Sequence, residues 1–391
     1  MRLAYFSPLP PAHTGIADYS AELLPHLGQL ADLTLFQQHP EEVAPEIRAR
    51  WSVEPMGEYE RTRPRFDLAL YQMGNSTHHT DLYQMALRYP GVVVLHDLVL
   101  HHFVEAITCR EGDEAGYMRA VSHALGQNDR PLDRYLQARQ SPTRLTTLPL
   151  NNLLVDRSLM VLVHSYYAQN QLQAQGTRCP VAVIPQPMTP YPATTPSQRP
   201  DWPVGTVVFA ALGQVTAAKQ VELALRAFAR VYESHPETRF LLVGEVIQAE
   251  VDVPGIIARW GLQDVVYVTG FVAGLRDFVN WIDRADVIVN LRYPTQGETS
   301  ATALRGMAQG KPVIVFDHGW YSELPAAAAI KLPPLDEEAL YQTMLRLTQS
   351  ANMRQEMGNA AASHIQTLHQ PAVVAGKIYE LLTGYLHNVM R

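Results

Sequence analysis

The sequence is poor in cysteine and in charge, and it has no long apolar run. Two cysteines, Cys109 and Cys179, stand in 391 residues. That implies no disulfide framework and fits a reducing, cytoplasmic setting. Basic residues do not dominate: 31 Lys and Arg against 38 Asp and Glu leave a net charge of −7. A general nucleic-acid binder needs a basic surface to displace counterions, so nucleic acid is excluded as a partner. A strongly basic membrane-docking face is disfavoured on the same ground. No apolar run reaches the ~18–20 residues of a membrane span, so membrane association is expected to be peripheral at most, at the inner face. The opening MRLAYFSPLPP has one Arg and an apolar run broken by prolines, and it reads as a first strand, not a signal peptide. Familiar signatures are missing too. No Gly-x-Gly-x-x-Gly follows a strand, which speaks against a dinucleotide domain. Gly306–Lys311 is one residue short of a phosphate-binding loop and has Pro312 where Ser or Thr belongs. No Gly-x-Ser-x-Gly elbow is present.

What is there is a packed globular composition, 47% hydrophobic and only 18% charged, which rules out disorder. The length suits two α/β domains of roughly 180 residues each. Short apolar runs, Leu3–Phe6, Leu68–Tyr71, Val92–Leu95, Met160–Val163 and Val181–Ile184, do not alternate with polar residues. They predict strands of a parallel sheet covered on both faces. A second series follows at Val207–Leu212, Phe240–Val243, Val265–Val268, Val287–Leu291 and Val313–Phe316. Amphipathic stretches such as Ile16–Leu27, Tyr166–Gln173, Val221–Ser234, Leu275–Ile282, Ser300–Gln309 and Glu337–Gln349 separate them. Arg110–Arg144 is polar and reads as a helical or looped insertion. Pro185–Pro203, dense in Pro, Thr and Ser, reads as a linker. The expected division is residues 1–190, a linker at 191–204, residues 205–370, and a C-terminal helix (Ala372–Met390) packing back towards the N-terminal domain. The fold class is α/β, with two Rossmann-like doubly wound domains facing across a cleft and ligand sites at the carboxyl ends of the strands.

Leu291–Pro325, LRYPTQGETSATALRGMAQGKPVIVFDHGWYSELP, carries the chemistry. A strand ends, a loop brings Gly297 and Glu298, a helix starts near Thr299–Ser300, and Gly310 closes it. A helix N-terminus behind a strand offers free N–H groups and a positive dipole end to a diphosphate. Thr299 and Ser300 add hydroxyls, and Glu298 is an acceptor for sugar hydroxyls. The plainer reading is that these three residues only cap the helix.

This segment resembles the donor motif of retaining family-4 glycosyltransferases of the GT-B fold. Met307-Ala308-Gln309-Gly310-Lys311-Pro312-Val313 matches the tail of that motif residue for residue. The head departs: Gly297 stands at the first glutamate, with Glu298 one place late, and Arg305 stands at the second. Arg305, two turns from Glu298, is expected to meet a phosphate or pair with a carboxylate. The resemblance implies further residues. Gly213, Gln214 and Lys219 follow a strand where the family has Gly-Arg and a Lys for the donor diphosphate; Gln214 replaces the Arg. His96 in Val92–Asp97 stands where a histidine touches the donor sugar. Gly15, in PPAHTGIADY, lies in the loop that closes over the donor. Gly270, Phe271 and Val272 lie where backbone meets the base. The alternatives are a surface lysine, a strand-capping histidine and an ordinary loop. His78, His79, His101 and His102 match no zinc signature, so no metal is expected.

The resemblance thus implies a retaining hexosyltransferase. It takes a UDP- or GDP-sugar and a carbohydrate or lipid-linked acceptor, needs no cofactor, and serves polysaccharide or glycolipid assembly. Its catalytic residues are His96, Lys219 and Glu298. A non-catalytic sugar-nucleotide binder and a nucleotide-sugar epimerase on the same fold are the rivals.

Overall fold

The computed structural model describes residues 1–125, 148–192 and 202–389. Most of the expected insertion (126–144) and the core of the expected linker (193–201) lie outside the described residues, as does Met390. The chain forms two compact units. The first comprises Met1–Pro187, Gln296–Thr299 and Pro371–Arg391; the second comprises Met188–Thr295 and Ser300–Gln370.

The first unit is built on a seven-stranded parallel sheet: β1 (Arg2–Phe6), β2 (Asp32–Gln37), β3 (Ser52–Pro55), β4 (Leu68–Met73), β5 (Val92–Leu95), β6 (Met160–Val163) and β7 (Val181–Val183), in the order β3-β2-β1-β4-β5-β6-β7. Helices α1 (Gly15–Leu27), α2 (Thr80–Arg88), α3 (His101–Ile107), α4 (Glu114–Leu125), α5 (Asn152–Arg157) and α6 (Tyr166–Ala174) connect or flank the strands. Successive strand residues point to opposite faces. In β1, Ala4 and Phe6 enter one core while Leu3 and Tyr5 enter the other. Both faces of the central strands β1, β4, β5 and β6 are dry, which is why these read as unbroken apolar runs. On the second face lie α1 and the C-terminal helix Pro371–Val389, whose Val374, Ala375, Ile378 and Leu382 form a fully buried stripe.

The second unit has a six-stranded parallel sheet: β8 (Val208–Leu212), β9 (Arg239–Val243), β10 (Val266–Val268), β11 (Val287–Val289), β12 (Val313–Phe316) and β13 (Ala329–Leu332), in the order β10-β9-β8-β11-β12-β13. It carries α7 (Val221–Ser234), α8 (Val253–Arg259), α9 (Leu275–Asp283), α10 (Ala301–Ala308), α11 (Glu337–Gln349) and α12 (Ala351–His364).

In each sheet the strand order turns back at one point, between β1 and β4 in the first and between β8 and β11 in the second. Loops diverge there and open a crevice at the carboxyl ends of the strands. Among the described residues, no helix is long and apolar enough to cross a membrane.

Candidate functional site

In the second unit the crevice is made by the loop after β8 and the loop after β11. The chain leaves Leu212 through Gly213, which has φ +79°. That left-handed backbone favours glycine. A Cβ on Gly213 would lie 2.9 Å from Lys219 Nζ and 3.1 Å from Thr302 Cγ2. Lys219 thus folds back over the strand end, where its ammonium donates to Leu212 O. The lysine and the first turn of α10 meet over Gly213.

α10 begins at Ser300, whose Oγ accepts from Ala303 N (3.3 Å) and donates to Asn290 Oδ1 (3.2 Å). Asn290, just beyond β11, donates from Nδ2 to Thr302 Oγ1 (2.9 Å). These two hydrogen bonds of the Asn290 side chain tie the helix start to the strand end. The result is a fixed N-terminus with a cation beside it, an arrangement suited to a phosphate group. Neither Asn290 nor Thr302 stood out in the sequence, since a lone Asn after a strand has no pattern to mark it.

Gln214, at the family's Arg position, is exposed and reaches Glu245 Oε2 (3.4 Å). Gly270 pairs with Gly244 in an isolated bridge, and Thr269 Oγ1 accepts from Gly244 N (3.1 Å). Phe271 is exposed beside it. Gly270–Val272 therefore lies beyond the end of β10, two strands from the turning point.

Arg305 is only 6% exposed, donates to Thr189 O (3.4 Å) and lies over the Tyr191 ring. Glu298 precedes α10, in a loop, so the spacing from Glu298 to Arg305 is not helical throughout.

In the first unit the polar groups line the carboxyl rim of the sheet. His96 follows β5; its Nε2 meets Gln72 Oε1 (2.9 Å) and its Nδ1 meets His164 Nε2 (3.2 Å). Tyr19 of α1 sets its ring edge against His96, with centroids 4.6 Å apart. Burial, then the neighbouring His164 and His79, hold the proton affinity of His96 well below the ordinary histidine range. His96 is therefore neutral at pH 7, and both of its ring nitrogens are engaged inside the protein. A sugar hydroxyl cannot bind either nitrogen without displacing one of these partners.

The segment after His96 is pinned from several sides. Asp97 Oδ2 accepts from Asn75 N (2.8 Å), and Asn75 Oδ1 accepts from Phe103 N (2.9 Å). Leu98 O accepts from Asn151 Nδ2 (2.7 Å), and Val99 N donates to Gln296 O (3.1 Å). Gln296–Thr299 belongs to this unit. Gly297 has φ +78°, and Leu98 Cβ lies 2.5 Å from where its own Cβ would stand, so this turn too requires glycine. Glu298 Oε2 accepts from Gln296 N (2.7 Å), and Thr299 Oγ1 donates to His164 O (3.4 Å). Of the three residues read as helix caps, only Ser300 is one. The Tyr167 hydroxyl is pushed up by burial and by the charge of Glu298. Gly15 opens α1 behind the Thr14 cap, and nothing lies within 4 Å of where its Cβ would be.

The structure thus gathers Gly213, Lys219 and Ser300 in the second unit, and His96, Glu298 and Thr299 in the first. No match is found among curated proteins. Among solved structures, Anabaena HepE in complex with UDP is similar at a TM-score of 0.68 and 15% identity, covering 98% of this chain and 100% of that one. Sucrose-phosphate synthase from Thermosynechococcus elongatus is similar at 0.65 and 15% identity, with the same coverage. A glycosyltransferase from Rickettsia africae is similar at 0.65 and 13% identity, covering 99% of each chain. Residues 206–350 match the family described as glycosyl transferases group 1, and the two parallel-sheet Rossmann-like domains have the GT-B fold of these neighbours.

Proposed function

We propose that the protein is a retaining glycosyltransferase that moves a hexose from a nucleoside-diphosphate sugar to a hydroxyl of a carbohydrate or lipid-linked acceptor. The observation that carries this reading is the meeting of Lys219 with the N-terminus of α10 over Gly213. In the reaction, the bond from the anomeric carbon to the leaving phosphate oxygen breaks, and its electron pair stays with the nucleoside diphosphate. Lys219 and the first-turn N–H groups stabilise that growing negative charge. The acceptor oxygen bonds to the anomeric carbon, and its proton passes to the departing phosphate oxygen, so no separate base is required. Glu298 holds sugar hydroxyls. No cofactor is needed, and metal is not required because the lysine and helix dipole supply the positive field. HepE is described in complexes with UDP, with UDP and glucose, and with UDP-glucose, which favours a UDP-sugar here. The setting is cytoplasmic, at the inner membrane face where the acceptor is lipid-linked, in polysaccharide or glycolipid assembly.

A non-catalytic binder would use the same anion crevice, so turnover has to separate the two. UDP, GDP, ADP and their sugars are screened by thermal shift; a ligand at 100 times its Kd stabilises by about 2.7 kcal/mol. Transfer is then assayed with the stabilising donor. Lys219→Ala is expected to lower kcat by a factor on the order of 100 or more, the usual loss for a leaving-group or oxyanion stabiliser. Glu298→Ala is expected to raise donor KM and lower kcat together, and EDTA to change neither. Donor binding without turnover in the wild-type protein would establish the binder instead.

A further inference from the structure

Strand alternation places a row of polar side chains along the rim of the first sheet, on the face that α1 covers. Tyr5, Leu70, Val94 and Leu162 share one core, and two residues further along their strands stand Ser7, Gln72, His96 and His164. Gln72 and His164 are buried. Gln72 interacts with the Tyr5 hydroxyl on one side and meets His96 Nε2 on the other. His96 Nδ1 meets His164 Nε2, and His164 Nδ1 faces Ile184 O at 3.1 Å.

The far end of this row fixes the protons. A carbonyl oxygen only accepts, so His164 Nδ1 carries hydrogen. A neutral His164 then has a bare Nε2, which accepts, so His96 Nδ1 carries hydrogen and His96 Nε2 is bare. Only the amide nitrogen of Gln72 can donate to it. The opposite amide orientation, with Oε1 on His96 Nε2, forces hydrogen onto that nitrogen and a second one onto His164. That leaves a cation in a buried site and Gln72 Nε2 without a partner. The two ends of an amide have the same shape and are told apart by their partners. Turning the amide over removes both faults and aims its oxygen at the Tyr5 hydroxyl.

We propose that Gln72 and His164 are positioning residues that lock His96 as the neutral Nδ1–H tautomer, with Gln72 donating to its Nε2. The consequence for catalysis rests on the transferase reading above. As the diphosphate leaves, the sugar gains positive charge, and a histidine kept uncharged beside it does not oppose that charge.

Histidine-selective ¹⁵N NMR of the full chain tests this directly. His96 and His164 should both show Nδ1–H and a bare Nε2 at pH 7. Hydrogen on His96 Nε2, or a cation on either ring at pH 7, overturns the proposal without any variant having to fold. The kinetic arm uses His164→Leu, which removes the acceptor for His96 Nδ1–H. It should lower kcat about tenfold, as loss of ring orientation does, with donor KM nearly unchanged. His164→Gln offers an oxygen in its place and should recover most of that loss. Wild-type kcat in His164→Leu overturns the positioning role. Absence of turnover in the wild-type protein defeats the transferase reading alone, since the tautomers are still read by NMR.

Discussion

Ser300 serves two demands that one experiment can pull apart. Its hydroxyl caps α10 and holds Asn290 at the end of β11. Ser300→Ala leaves the Ala303 N–H unpaired and should cost about 1 kcal/mol of stability, read by urea unfolding. Ser300→Asp keeps a cap acceptor and should unfold near the wild-type midpoint. It also puts a negative charge at the helix start, where the donor diphosphate is proposed to sit, and should abolish the thermal shift given by UDP. A full UDP shift in Ser300→Asp would move the phosphate site away from α10. The sequence displayed this residue well, because Ser before an apolar helical run is a cap signal. The two-turn spacing from Glu298 to Arg305 does not hold, because Glu298 stands in the loop before α10. His96 was found by its place at a strand end, but its two internal partners come from strands 24 and 68 residues away. No local pattern reports such distances.

At the scale of elements, the buried parallel strands were legible because both faces are dry and the runs are unbroken. β2 (DLTLFQ), β3 (SVEP) and β13 (AIKL) were not, because polar residues interrupt them. Asp32 and Lys331 interrupt the apolar pattern that marks the other strands. The turn leading into α2 carries a feature with a measurable consequence. His79 is buried, and its Nδ1 is held against Ser76 O and Oγ, each at 3.1 Å. Its Nε2 has no partner among the described residues, so a second proton there would be buried without an acceptor. Burial accordingly pushes its pKa down to about 4, against the backbone hydrogen bond that raises it and with His78 lowering it further. The unfolded chain titrates near the ordinary 6.5. Above that value both states are neutral and stability is full. Between 6.5 and about 4 the unfolded chain binds the proton first, so stability falls as pH falls, by about 3 kcal/mol over the whole window. Burial of His96, His101 and His364 acts in the same direction. Urea unfolding of His79→Asn should show a shallower loss of stability between pH 7 and pH 4.5 than the wild-type protein does. An unchanged slope would mean that His79 takes up its proton in the folded state.

At the scale of the whole molecule, the chain leaves the second unit at Gln370 and finishes in the first. The C-terminal helix is not decoration on that unit. Val374, Ile378 and Leu382 recur at the four-residue spacing of one helix face and are wholly buried in the same core as Leu3, Tyr5 and Leu70. Each such side chain is worth roughly 1.5–3 kcal/mol when buried, so the three together contribute on the order of 5–9 kcal/mol. A domain's entire stability is about 5–15 kcal/mol. Deleting residues 371–391 should therefore unfold the first unit at ordinary temperature. The second unit has two core faces of its own, one beneath α7 and α11 and the other beneath α10, and should keep its transition. Calorimetry should show one endotherm where the intact chain shows the unfolding of both units. Limited proteolysis should leave a fragment near residues 202–370 and digest the rest. A truncated protein that resists protease from residue 1 onward would show that α1 and the sheet hold this face without the helix.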